Sequence, residues 1–182
     1  NRRTTHAGFW HYPNLLNDLE LTGSHQVWVG DITYITTEEG FRYLALLTDA
    51  YSRFIVVYDL SSSLAVEGAL RALQMATATC TPAQLHGLIH HTDHGVQYTA
   101  WPYREQLQTV GMCASMGAVG NCYENPLAER VNGILKDEYK LDDLFVNDAH
   151  AHIAVRQAIY LYNYERPHHS LKLAKPAQVH LA

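Results

Sequence analysis

Three runs of β-branched and aromatic residues lie between residues 26 and 60, joined by connections too short for a crossover. Residues 26–36 (Q-V-W-V-G-D-I-T-Y-I-T), 41–49 and 53–60 read as strands. Glu38, Glu39 and Gly40 make the first turn, and Tyr51 and Ser52 sit in the second. An antiparallel meander is therefore expected. A helix is expected from Ser63, with Val66, Leu70 and Leu73 near helical spacing and Pro82 after its end. Residues 85–92 read as a short buried strand ending at Asp93, 100–110 as a helix closed by Gly111, and 112–116 as a fifth strand. Residues 117–126 read as a loop. A helix is expected from Pro126 to about Leu144 and another over 148–164, with Pro167 and Pro176 ending regular structure. The expected class is α/β, a mixed five-stranded sheet flanked by helices.

A chain of 182 residues, 47% of them hydrophobic, supports one domain with its own core. The expected division is a lead-in over 1–24, a core over 25–165 and a C-terminal tail over 166–182. No apolar run approaches the roughly 20 residues that span a bilayer, and no signal-peptide pattern opens the chain. Cys80, Cys113 and Cys122 are too few and too scattered for a disulfide framework. A reducing cytoplasmic setting is therefore expected, with no membrane partner. The chain opens on Asn1 rather than Met, as a fragment would. The net charge is −5, from 13 basic and 18 acidic residues, which counts against a surface that binds nucleic acid everywhere. Any grip on phosphates has to be local, or shared with other segments or subunits.

The acidic residues carry the chemistry. Asp31 interrupts an otherwise apolar strand, where a carboxylate needs a hydrogen-bonding neighbour or a metal. Asp93 ends a strand just before Gly95, and either caps that turn or meets a ligand at the strand's end. Glu129 falls in the first turn of a helix, where the dipole alone would favour it. Considered jointly, a central strand, a strand end and a helix start can gather three carboxylates at one edge. Hard divalent ions such as Mg²⁺ prefer that donor set. Two such ions can activate an attacking oxygen and stabilise a departing one.

Four segments resemble the retroviral-integrase-like catalytic core of bacterial insertion-sequence transposases. They are W-V-G-D-I-T-Y-I at 28–35, H-T-D-H-G-V-Q-Y-T at 91–99, G-N-C-Y-E-N-P-L-A-E at 120–129 and Y-N-Y-E-R-P-H-H-S-L at 162–171. Asp93 and Glu129 are separated by 35 residues, the spacing of the family's D-D-E pattern. Thr92 stands where Ser is commoner and Glu124 where Asp is frequent. After the Glu, the E-R-V-N-G-I-L-K stretch departs from the family's usual E-S-F-F-x-x-L-K. The resemblance implies a ribonuclease-H-like fold and a transposase that cleaves transposon ends and performs DNA strand transfer. It makes Asp31, Asp93 and Glu129 both catalytic residues and metal ligands, for two Mg²⁺ ions that Mn²⁺ can replace. It implies transposon-end and target DNA as partners, a homo-oligomer in the active complex, and an N-terminal DNA-binding region or partner protein. A bacterial cytoplasm, on the nucleoid when bound, is the implied setting.

Lys136, Lys140, Gln97, Tyr98, Tyr123, Asn125 and Arg130 are the expected DNA contacts. Lys136 and Lys140 would share a helix face with Glu129, unless that face is simply solvated. Tyr98 serves equally as a core residue. His90 and His91 are adjacent on a strand and point to opposite faces, which argues against a zinc site with Asp93 and His94. Arg166 is expected to pair with a carboxylate, and His168 and His169 to be structural. Two alternatives stay open: a ribonuclease-H-like nuclease that only hydrolyses, and a domesticated DNA-binding protein with a silent site.

Overall fold

A computed structural model describes residues 11–117 and 125–182. The meander is present as β1 (Val27–Thr37), β2 (Gly40–Asp49) and β3 (Ile55–Ser61), paired antiparallel in sequence order. Helix α1 (Val66–Ala78) then carries the chain across the sheet, packing over β2 and β3. The expected strand over 85–92 is shorter than its apolar run. Thr81 and Gln84 form a capping box with Pro82 in the first turn, so Pro82–Leu85 becomes a helical turn, α2. Gly87, at φ 79°, then redirects the chain into β4 (Ile89–Thr92).

Strand β4 pairs parallel with β1, and β5 (Cys113–Met116) pairs parallel with β4, giving the order β3-β2-β1-β4-β5. Between β4 and β5 lie α3 (Val96–Thr99) and α4 (Trp101–Val110). Gly111, at φ 78°, closes α4 in the left-handed conformation. Beyond β5 come α5 (Pro126–Asp137) and α6 (Asp148–Tyr164).

Strand periodicity sorts the core into two layers. Trp28 and Leu47 join Leu73, Tyr103 and Leu107 under α1 and α4. Ile35, Leu44 and Leu46 join Val131, Ile134, Leu135 and Val155 under α5 and α6. Asp31 shares the odd-numbered face of β1 with Val29 and Ile35, so it looks toward α5.

Two expectations about helix ends are corrected. Helix α5 stops at Asp137 rather than near Leu144. Leu141 turns back into the core at 1% exposure, its N–H donating to the Leu135 carbonyl at 3.2 Å. The chain reaches that position through Lys140 in the left-handed region, at φ 59°. Pro176 starts a helix instead of ending structure: α7 (Pro176–His180) has Pro in its first turn, where a missing N–H does no harm. The segment after residue 165 folds back onto the body. Ala177 is buried, and His180 stacks on Phe54 and hydrogen-bonds Ser52 at 2.9 Å.

Gly30 is a point of close approach. A Cβ there would lie 2.8 Å from His90 Cε1 and 3.0 Å from Thr92 Cγ2. The His90 ring cannot yield, because it is buried and its Nε2 bonds Tyr103 Oη at 2.7 Å. Gly30→Ala is therefore expected to destabilise the fold by about 1–3 kcal/mol through overpacking. Urea unfolding checks this, and an unchanged midpoint would show that His90 relaxes freely.

Candidate active site

The site is built where β1 and β4 run side by side. Asp31 lies within β1 and is only partly exposed. The chain leaves β4 at Asp93, an exposed residue whose Oδ1 accepts the Gly95 N–H at 2.9 Å. The turn-capping role and a place at the strand's end thus belong to the same side chain. Glu129 is exposed in the first turn of α5. That turn is fixed by Asn125, whose side chain accepts the Ala128 N–H at 3.4 Å.

The three carboxylates are close enough to feel one another. Asp31 is pushed up from 3.8 to about 6, chiefly by burial, then by the negative charge of Asp93, with a smaller push from Glu129. Two hydrogen-bond donors oppose that rise: the Ile32 backbone and the side chain of Asn132. Asn132 Nδ2 donates to Asp31 Oδ2, and its own Oδ1 is buried with no hydrogen-bond partner among the described residues. None of these influences on Asp31 is a cation. Among the described residues, no three His, Cys, Asp or Glu side chains are gathered tightly enough to grip a metal ion. The donor set suits a hard divalent ion: carboxylate oxygens, one of them made unwilling to ionise by burial and by its acidic neighbours.

The expected DNA contacts divide. Arg130 is exposed on α5, next to Glu129. Asn125 is occupied in capping α5. Lys136 is on the helix, with its ammonium 4.2 Å from the centre of the Tyr34 ring and 3.7 Å from Asp142. Lys140 is exposed but lies beyond the end of α5, so it does not share a helix face with Glu129. Gln97 and Tyr98 are buried. Gln97 Nε2 donates to the Leu64 carbonyl at 2.7 Å, and the Tyr98 ring packs edge-on against His90 and Tyr103. Both side chains are closed to DNA here, because apolar packing of α3 against α1 and α4 claimed them. Tyr123 lies outside the described residues. His90 and His91 turn to different partners, Tyr103 and Ser115. Arg166 pairs with Glu138, as expected.

Asn132 had no role assigned from sequence. Its signal was positional: it follows Glu129 by three residues and so shares its helix face.

Residues 22–122 match the family model described as "Integrase core domain", and residues 110–176 match a second model of the same description. The chain belongs to the integrase core domain family. This integrase core is 40% identical over 167 residues to the "Insertion element IS600 uncharacterized 31 kDa protein" of Shigella sonnei, covering 91% of this chain and 61% of that protein. It is 34% identical to the "Transposase for insertion sequence element IS629" of Shigella sonnei, covering 86% of this chain and 52% of that protein. It is 37% identical to the "Transposase for insertion sequence element IS904" of Lactococcus lactis, covering 90% and 65%. The chain thus spans between about half and two thirds of these relatives' length. Among solved structures, the simian T-cell lymphotropic virus intasome aligns with a TM-score of 0.73 at 19% identity, covering 94% of this chain and 58% of that one. The HTLV-2 integrase catalytic core "in complex with magnesium" aligns at 0.69 and 18%, covering 88% and 99%. These likenesses establish the ribonuclease-H-like fold. Among the described residues, no helix is long and apolar enough to cross a membrane.

The raised Asp31 pKa makes a stability prediction. Below pH 3.8 the carboxyl is protonated in folded and unfolded chains alike and adds no penalty. Above about pH 6 the folded chain must hold a charge its surroundings disfavour. Stability linked to Asp31 is therefore present at low pH and lost as pH rises through the folded value. In EDTA, Asp31→Asn is expected to stabilise the fold by about 1–2 kcal/mol at pH 7.5, with the gain fading toward pH 4. Denaturant titrations at both pH values test it, and equal gains at both would disconnect Asp31 from the effect.

Proposed function

We propose that this integrase core is the catalytic part of a DNA transposase, cleaving transposon ends and joining the freed 3′-hydroxyl to target DNA. Asp31, Asp93 and Glu129 are the catalytic residues and would hold two Mg²⁺ ions, which Mn²⁺ can replace. The observation that carries this reading is how poorly the surroundings of Asp31 accommodate its charge. Burial, Asp93 and Glu129 all disfavour its charge, and the groups that oppose them, the Ile32 backbone and the Asn132 amide, are uncharged. A fold does not gain stability from such a cluster, whereas a cation-binding site requires it.

Bound divalent ions would supply the Lewis acidity that activates the attacking oxygen and stabilises the leaving one. The chain's own residues supply position. Asp31 is anchored within β1 and oriented by Asn132 Nδ2. Asp93 is steadied by the Gly95 N–H. Glu129 sits in the first turn of α5, where the helix dipole favours negative charge. End cleavage and strand joining are both in-line displacements at phosphorus, so one set of carboxylates serves both. No covalent protein–DNA intermediate is required.

The relatives named as transposases support the reaction, and the magnesium complex of the HTLV-2 integrase core supports the ion. That integrase core occurs in dimeric and trimeric forms, which supports a homo-oligomer here. With a net charge of −5, end recognition falls to an additional N-terminal region or a partner protein. The setting is the cytoplasm of a bacterium, on its DNA.

Asp31→Asn, Asp93→Asn and Glu129→Gln are each expected to abolish cleavage and joining on the element's own ends while the protein stays folded. Mg²⁺ should raise the melting temperature of the wild type, and less so each variant. The decisive assay offers a pre-cut end with Mg²⁺. Near wild-type joining by any one variant would overturn the assignment. Cleavage without joining by the wild type would make the protein a nuclease instead.

A further inference from the structure

Arg130 follows Glu129 by one residue, about 100° round the helix, and so leaves the carboxylate face of α5. It lines a cavity of about 470 Å³ together with Arg53, from the β2–β3 turn, and Arg166, from the R-P-H-H-S-L segment. Tyr162, His168 and Ser170 contribute to the same wall, and among the described residues no carboxylate does. Glu138 lies beside the cavity and accepts from Arg166 Nε at 2.7 Å and Nη2 at 2.6 Å, neutralising one of the three guanidinium groups. Arg53 donates to the Ala50 carbonyl, which satisfies an N–H but leaves the charge. Two positive charges therefore remain in the cavity of a chain whose net charge is −5.

A second observation comes from His168. It is 6% exposed, lines the cavity, and its buried Nε2 has no hydrogen-bond partner among the described residues. A buried, unmatched ring nitrogen is costly unless a ligand completes it. Burial, then the charges of Arg166, Arg53 and Arg130, holds the ring's pKa down near 4. His168 is thus neutral at pH 7, able to present an N–H without adding charge. Guanidinium groups and a neutral imidazole lining one cavity suit a tetrahedral oxyanion.

We propose that the cavity formed by Arg53, Arg130, Arg166 and His168 binds a backbone phosphate of DNA, as a contact separate from the three carboxylates. This rests on the reading that the chain acts on DNA. The adjacency of Arg130 to Glu129 puts the cavity one helix face from the catalytic carboxylates. A duplex bound at those carboxylates can lay a flanking phosphate there. It also explains how an acidic chain holds DNA without a basic surface.

The test uses random-sequence duplex DNA in EDTA, with anisotropy titrations across a range of NaCl. Arg130→Gln and Arg53→Gln should each reduce the slope of log K against log salt by about 0.9. Arg156→Gln, an exposed position on α6, should leave it unchanged. Inorganic phosphate should shift the His168 imidazole resonances of the wild type and not those of Arg130→Gln. Unchanged slopes in both cavity variants, an equal loss in Arg156→Gln, or no duplex binding by the wild type would each overturn the proposal. So would a phosphate-induced shift at His168 with unchanged DNA slopes, which would mark a site for free anions. Asp31→Asn distinguishes the two readings: it should lose joining yet keep the wild-type slope in EDTA. Loss of the slope effect with joining intact rejects the cavity alone, and the reverse result rejects the transposase reading alone.

Discussion

The arrangement around Asp31 depends on the parallel pairing of β1 with β4. Val27, Trp28 and Val29 pair with Ile89, His90 and His91, so the chain leaves β4 beside the middle of β1. That exit delivers Asp93 to the neighbourhood of Asp31. A shift of one residue would send Asp31 to the opposite face, away from α5. Three features hold the register. Gly30 lacks the Cβ that would strike His90 and Thr92. Tyr103 Oη fixes His90 from the α4 side, and Ser115 Oγ fixes His91 from β5. The side chains that look like metal ligands in the sequence are the fasteners of the strand that carries Asp93.

Two strand carboxylates show how differently one fold can treat the same group. Asp49, at the end of β2, is fully buried and accepts four hydrogen bonds, from the N–H groups of His25, Tyr51 and Ser52 and from Ser52 Oγ. It ties the β2–β3 turn to the segment before β1, and its needs are met within the protein. Asp31 is less buried yet worse provided for, with one side-chain donor and two carboxylates nearby. Burial alone does not separate an acid that the protein satisfies from one that it leaves unsatisfied. The distinction lies in whether the surrounding groups complete the charge or leave it for something else to complete.

What was legible in the sequence was what local pattern decides. The meander follows from short turns, and the start of α5 from Pro126. The D-D-E spacing and its flanking segments point to the family without any coordinates. What stayed hidden was set by distant partners. The end of α5 depends on Leu141 finding the core, which no propensity encodes. Tyr98 and Gln97 sit beside Asp93 in sequence, but α3 turns them inward against Tyr103 and the Leu64 carbonyl. Asn132 was visible on the right face of α5, yet its bond to Asp31 joins residues 101 positions apart. Arg53, Arg130 and Arg166 come from three separate segments, and only the folding of the chain's end over α5 assembles them.

The same separation explains why net charge is a poor guide to what this chain can bind. Many of its acids are matched locally: Asp59 with Arg71, Glu138 with Arg166, Glu165 with Lys175, Asp142 with Lys136, and Glu39 and Asp148 with Arg42. Paired charges largely cancel beyond their immediate surroundings. At physiological salt, exposed charges are screened over about 8 Å. A phosphate near α5 therefore responds to the few charges left unmatched there, not to the total of −5. On one side of that helix the unmatched charge is negative, at Asp31, Asp93 and Glu129. On the adjacent side it is positive, at Arg53 and Arg130. On the reading proposed above, a polyanion would approach such a helix with its reacting phosphate accompanied by cations and a neighbouring phosphate on the arginines. The proposed metal dependence and the proposed phosphate contact would then be two consequences of one segregation of charge about α5.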